Sequence, residues 1–192
     1  MFDIFANYLS GNVSLTNKEL GLVQSLSVQE KVPKQSFILR EGDVSDSMIF
    51  VANGLLRLYK TDADGDEHII RFANEYHWIN DRESYATGKP SQFNIDAIEH
   101  SEVLVWTKND FYCLMKELPA LREFMKALGA RKQIANQNRI YASISHSAEE
   151  RYNQFVEHYP TVFNRVPLHM VASYLGVSRE TLSRIRRRAL KK

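Results

Sequence analysis

The spacing of apolar residues changes twice along this chain, and the changes mark three stretches. Residues 2–9 and 17–26 carry apolar side chains at helical spacing and predict two short helices. Thr16-Asn17-Lys18-Glu19 has the Ser/Thr-x-x-Glu spacing of a capping box at the start of the second. From about Val28 to Thr107 the pattern becomes short apolar runs separated by turn residues: Phe37-Ile38-Leu39, Met48 to Val51, Leu55 to Tyr59, His68 to Phe72, then Phe93 to Ile98 and Val103 to Trp106 as a last strand pair. Many short strands at this spacing predict a β-sandwich or barrel. Asn53-Gly54 and Asp64-Gly65 supply the positive-φ residues of tight hairpins.

Helical spacing returns at about Asn109, where Phe111, Leu114, Met115 and Leu118 share a face. Pro119 restarts the helix, and Ala120 to about Ser143 runs on without a proline. Its stripe, Leu121, Phe124, Met125, Leu128, Ile134, Tyr141 and Ile144, suits either a parallel pair of such helices, with Asn138 setting register, or packing along the chain's own β-domain. Ser147-Ala148-Glu149-Glu150 caps a further helix to about His158, which Tyr159-Pro160 ends.

Composition narrows the class. With 192 residues, 44% hydrophobic and 25% charged, the chain has enough apolar material for a core, so disorder is not the expected state. No apolar run reaches the roughly 18–20 residues of a membrane span, and Met1 to Phe5 lacks the basic start of a secretory signal, so a soluble cytoplasmic protein without membrane contact is expected. The one cysteine, Cys113, excludes an intrachain disulfide and a Cys-built metal or iron–sulfur site in one chain. None of the six histidines has metal-ligand spacing, and Asp64-Gly65-Asp66 reads as a turn, so neither metal nor cofactor is expected. Nothing supports an enzyme.

Charge adds direction. Residues 1–145 hold 16 basic and 19 acidic side chains, a net of −3, whereas residues 146–192 hold 9 basic and 4 acidic, a net of +5. A basic C-terminal module on an acidic body suits a polyanionic partner, and equally a solvated basic tail.

The last stretch favours the first, over an ordinary αα-hairpin with a basic surface. In VPLHMVASYLGVSRETLSRIRRRALKK, Pro167 opens a helix with Met170, Val171, Tyr174 and Leu175 on its apolar face. Gly176 supplies the turn, Ser178 an N-cap, and a second helix runs from Arg179 to about Leu190. Leu182 and Ile185 face the small core, while Ser178, Arg179, Glu180, Ser183, Arg184 and Arg187 lie opposite. That is the composition of a DNA recognition helix. Glu180 suits the cytosine amino group and Arg179 or Arg184 the guanine edge; the i,i+4 spacing also lets Arg184 pair with Glu180 in a structural role.

On these residues the chain resembles the cyclic-AMP receptor protein/FNR (Crp/Fnr) family of bacterial transcription regulators over nearly its whole length. Ser178-Arg179-Glu180-Thr181 with Arg184, and equally Glu180-x-x-Ser183-Arg184, match its recognition helices; Glu41-Gly42-Asp43 and Asn53-Gly54 match turns of its β-roll. The resemblance implies an α+β protein: a cyclic-nucleotide-binding-like β-roll (jelly roll) at 1–118, a long dimerisation helix at 119–145 and a helix-turn-helix domain at 146–192. It implies base contact by Arg179, Glu180, Ser183 and Arg184, and as partners double-stranded DNA, a second copy in a homodimer, RNA polymerase and an unidentified effector.

Two departures bear on that expectation. The family's cyclic-nucleotide pocket has a Gly-Glu pair and, about ten residues on, an Arg-Ser pair at a short helix N-terminus; here Asn80-Asp81 and Ser91-Gln92 stand in those places. Without the Arg a buried phosphate lacks a counter-charge, so Asn80, Asp81, Ser91 and Gln92 are expected to line a pocket that does not take cyclic AMP, with Arg82 and Lys89 on a surface loop. Family members also continue into a β-hairpin wing, whereas this sequence stops at Lys192. Phosphate contact by Arg186, Arg187, Arg188, Lys191 and Lys192 is expected to offset the missing wing partly. The resulting expectation is a dimeric regulator reading a palindromic site; the alternative is a cyclic-nucleotide or small-anion sensor signalling through protein contacts.

Overall fold

The computed structural model describes residues 1–189, so the expected helix end at Leu190, the contacts of Lys191 and Lys192 and the question of a wing lie outside the described residues. Two helices open the chain, α1 (Phe2–Ser10) and α2 (Asn17–Ser25), the second with the full Thr16/Glu19 capping box. Eight strands follow: β1 (Val28–Val32), β2 (Phe37–Leu39), β3 (Ser47–Asn53), β4 (Leu56–Thr61), β5 (Glu67–Ala73), β6 (Trp78–Ile79), β7 (Asn94–Ala97) and β8 (Ser101–Thr107), with a short helix α3 (Arg82–Thr87) between β6 and β7. They form two antiparallel four-stranded sheets, β1-β8-β3-β6 and β2-β7-β4-β5, face to face as a β-roll.

Ile49, Val51, Leu56, Leu58, Ile79, Ile95 and Val103 fill the space between the sheets. The outer face of the first sheet is covered by α1, α2 and two further helices, α4 (Lys108–Glu117) and α5 (Pro119–Ser145). Phe5, Phe50, Trp78, Trp106, Phe111 and Leu121 make that second core. Hence β3 is buried on both faces, which explains its unbroken apolar run where a half-exposed strand would alternate.

Two connections differ from the sequence reading. Asn53-Gly54 joins β3 to β4, which lie in different sheets, and β7 and β8 likewise do not pair with each other. Only Asp64-Gly65 closes a true hairpin, β4 to β5. The reason is local: Gly54 has φ +102°, its N–H donates to Glu75 Oε1 at 3.0 Å, and the Leu55 N–H donates to Ser101 Oγ at 3.1 Å, so the backbone is drawn across the roll. A Cβ on Gly54 would sit 2.6 Å from Ser101 Cα. Gly54→Ala is therefore expected to lose about 2 kcal/mol or more, read as a lower denaturation midpoint, from positive φ and steric overlap together.

The C-terminal helices are α6 (Ala148–His158), α7 (Pro160–Phe163), α8 (Leu168–Leu175) and α9 (Arg179–Ala189). Pro160, expected only to end a helix, also begins the one-turn α7. These helices do not stand apart from the roll. Tyr59, Ile69 and Phe72 of the second sheet, with Leu55 just before β4, share one core with Tyr152, Phe155, Val162, Val171, Leu175, Leu182 and Ile185.

Candidate nucleic-acid interface and the roll pocket

The helix-turn-helix follows from a few backbone facts. Gly176 takes the left-handed conformation, φ 64° and ψ 42°, at the end of α8. The Val177 N–H then donates to the Ala172 carbonyl at 3.0 Å, and the Thr181 N–H donates to Ser178 Oγ at 3.2 Å, capping α9. Leu182 and Ile185, 0% and 5% exposed, anchor the helix inward. Ser178, Arg179, Glu180, Arg184 and Arg187 are exposed on α9 and its cap, with Ser183 half-buried among them.

The geometry bears on two of the expectations for α9. Glu180 is exposed and forms no ion pair with Arg184 among the described residues; the backbone N–H at the helix start and Ser178 hold its carboxyl below the ordinary range. Its carboxylate therefore stays an acceptor at neutral pH. The guanidinium of Arg186, expected to meet phosphate, lies 5.3 Å above the Phe163 ring.

α8 meets the roll at the free edge of β5. Ser173 Oγ donates to the Glu67 carbonyl at 2.6 Å and accepts the Ile69 N–H at 2.9 Å, pairing two groups of an edge strand. Ile70 is an extra residue in β5, since Leu58 faces Arg71 and Tyr59 faces Ile69; Arg139 of α5 donates to its carbonyl. Arg165 holds Glu75 at 2.8 Å and also pairs with Glu99. Sequence reasoning missed Ser173 and Arg165, because a serine or arginine at such positions has no local signature. Their partners are far away in the chain.

The four expected pocket residues do not stay together. Asn80, Asp81 and Ser91 are buried side by side, whereas Gln92 is exposed and accepts from Lys60 Nζ at 3.1 Å. Asp81 caps α3, accepting from the Glu83 N–H at 3.0 Å, and Ser91 Oγ donates to its other oxygen at 2.8 Å. Arg82 stands in α3, not on a loop as expected, because Asp81 at the N-cap starts a helical turn there. The neighbouring cavity is only about 60 Å³, against the roughly 300–1,000 Å³ of ordinary ligand sites. A carboxylate lies at the helix start, and the exposed Lys89 does not neutralise it. These residues do not fit a cyclic phosphate.

Nearby, Lys132 of α5 donates to the Trp78 carbonyl at 3.0 Å, and burial beside Arg71 and Arg82 pushes its amine down to about 7. In the unfolded chain a lysine titrates near 10.4, so between about pH 7 and 10.4 the unfolded state binds the extra proton and stability rises with pH. Below that window the full burial penalty is present. Lys132→Met is expected to raise the melting temperature by several degrees at pH 6, with the gain shrinking towards pH 10. A gain independent of pH would contradict the assignment.

Fold and surface together define a class: a cyclic-nucleotide-binding-type β-roll joined through a long helix to a helix-turn-helix. A family model described as "Cyclic nucleotide-binding domain" matches residues 29–117. The chain is 24% identical over 178 residues to the cyclic AMP receptor protein of Thermus thermophilus, covering 89% of this chain and 81% of that one. It is 26% identical over 106 residues to the anaerobic regulatory protein of Bacillus subtilis, covering 55% of this chain and 44% of that one. The structure of FixK2 from Bradyrhizobium japonicum has the same fold, with a TM-score of 0.73, 17% identity and coverage of 86% and 85%. Over most of its length the chain is thus similar to transcription regulators of the Crp/Fnr type. Among the described residues no helix is long and apolar enough to cross a membrane.

Proposed function

We propose that this protein is a sequence-specific DNA-binding regulator that reads a palindromic site as a dimer, with RNA polymerase as a further partner. The observation that carries the reading is the exposed polar face of α9, where Ser178, Arg179, Glu180, Ser183, Arg184 and Arg187 project from a helix whose other side is locked into the domain core. Arg184 and Arg179 have the forked donors that match guanine in the major groove, and Glu180 the acceptor that matches cytosine. Division into a sensor roll at 1–118, a dimerisation helix at 119–145 and a DNA-binding domain at 146–192 belongs to the same proposal.

Dimerisation is supported by α5. Its 27 residues span about 40 Å at 1.5 Å each, and Ile134, Ile140, Tyr141 and Ile144 stand 57–81% exposed along its second half. Exposed large apolar groups along one helix are the usual mark of a surface awaiting a partner. Cyclic AMP is not the effector in this reading, because Asp81 and Ser91 close the roll pocket against an anion.

The test is selection of bound sequences from a random DNA pool at about 150 mM salt, which suppresses non-specific phosphate binding. A palindromic consensus with half-sites about 34 Å apart is expected. Absence of any enrichment, with and without candidate effectors, would count against the assignment. Arg187→Ala is expected to weaken all sequences alike. It should also make the plot of log affinity against log salt shallower, by about 0.9 in slope for each phosphate no longer neutralised. Titrations of specific and scrambled duplexes at several salt concentrations check it.

A further inference from the structure

A cavity of about 720 Å³ lies between β5 of the roll, the second half of α5, α6 and the end of α8. It is separate from the pocket at Asp81 and falls within the usual size of small-molecule sites, about 300–1,000 Å³. Its lining is one-sided in charge. His68, Arg71, Arg139, His146, Arg151 and His158 line it, and among the described residues no aspartate or glutamate does. His68 is engaged with Asp62, and Arg139 with the Ile70 carbonyl and the Tyr174 ring.

The remaining basic side chains are only partly satisfied. Arg71 Nη2 donates to the Asn80 carbonyl at 3.1 Å, and Arg151 Nη1 to the Ser143 carbonyl at 3.3 Å. Arg71 Nε, Arg151 Nε and His146 Nδ1 are each buried with no hydrogen-bond partner among the described residues. A buried polar group without a partner is costly and rare in native proteins, and more so on a charged side chain. Water can satisfy a single donor but supplies no counter-charge. Two guanidinium groups facing one cavity with no carboxylate in its described lining, beside the His146 ring, call for an anion. Phe155, Tyr174 and Leu175 form an apolar stretch of the wall.

We propose that this interdomain cavity binds a small organic anion, its carboxylate or phosphate group held by Arg71, His146 and Arg151 and its apolar or aromatic body by Phe155, Tyr174 and Leu175. Such an occupant touches the roll, the long helix and the helix-turn-helix at once. It would therefore fix the recognition helix relative to the roll, and this regulatory consequence rests on the DNA-binding reading above. The binding itself does not.

The full chain is titrated with 8-anilinonaphthalene-1-sulfonate, an aromatic anion, and with N-phenyl-1-naphthylamine, its uncharged relative. Saturable binding of one sulfonate per chain is expected, with the neutral compound at least tenfold weaker. Arg151→Gln and Arg71→Gln should each weaken the sulfonate at least tenfold; thermal melting shows which variants keep the fold, and Arg151, the more peripheral of the two, preserves the test if Arg71→Gln does not fold. Displacement by inorganic phosphate alone assigns a phosphate ester, and by glutarate alone a carboxylate. Displacement by neither, equal affinity for the neutral compound, or unchanged affinity in folded Arg151→Gln would overturn the proposal. So would loss of the probe as the chain self-associates, which would assign the cavity to a second copy. Because no DNA is present, a negative result here leaves the DNA-binding reading standing, and a failed DNA selection leaves this one.

Discussion

Arg184→Ala will lower affinity for the selected site by about 1–3 kcal/mol per half-site, roughly 5- to 150-fold, while binding to scrambled DNA changes little. That asymmetry separates base reading from phosphate binding. Arg184 is exposed on α9, and no ion pair holds it among the described residues, so removing it disturbs neither the helix nor the domain core. The variant lacks a forked donor pair at one base position. A repeat of the selection with the variant should therefore relax that position in each half-site and leave the others intact. In a symmetric dimer the loss occurs twice, so the full effect on a palindrome exceeds that on an isolated half-site. Unchanged affinity and unchanged base preference would remove Arg184 from the interface.

The second large effect concerns the platform that the C-terminal helices rest on. Arg57 of β4 donates to both oxygens of Asp96, at 2.7 and 2.8 Å, and also pairs with Glu67. Arg57 and Asp96 are 7% and 5% exposed, so the pair is buried. The same Asp96 helps push the Tyr59 hydroxyl up to about 12, after burial itself. Replacing one member of such a pair strands the other charge away from water, at a cost of about 3–5 kcal/mol. Arg57→Met is expected to lose that much in a denaturant melt. Arg57→Met with Asp96→Leu is expected to recover most of it, because no charge is then left buried. Equal stability of the single and double variants would show that the loss is one of packing. Glu67 is also the residue whose carbonyl receives Ser173, so the single variant should loosen the contact between β5 and α8 as well.

Much of this was legible because it rests on local rules. The capping boxes at Thr16 and Ser147, the positive φ at Gly54 and Gly176, and the small and apolar positions of the helix-turn-helix are each set by a few neighbouring residues. The closed state of the roll pocket was half legible. That Asn80-Asp81 and Ser91-Gln92 lack a cation for a phosphate could be read directly, but not that Ser91 would turn onto Asp81 or that Gln92 would point outward to Lys60. Those depend on the packing of α3 between β6 and β7, which the alternation of apolar residues does not encode.

The sequence by itself determined which elements form, where the chain carries its positive charge and which side chains α9 offers outward, since helical period, capping and composition are properties of short segments. Only the tertiary structure decided that the strands flanking Asn53-Gly54 belong to different sheets, that α8 closes the edge of β5 through Ser173, and that Arg71, His146 and Arg151 surround one cavity. Strand pairing, interdomain docking and the meeting of charges distant in sequence are fixed by how preformed surfaces bury one another. That burial is a property of the whole fold and of no segment alone.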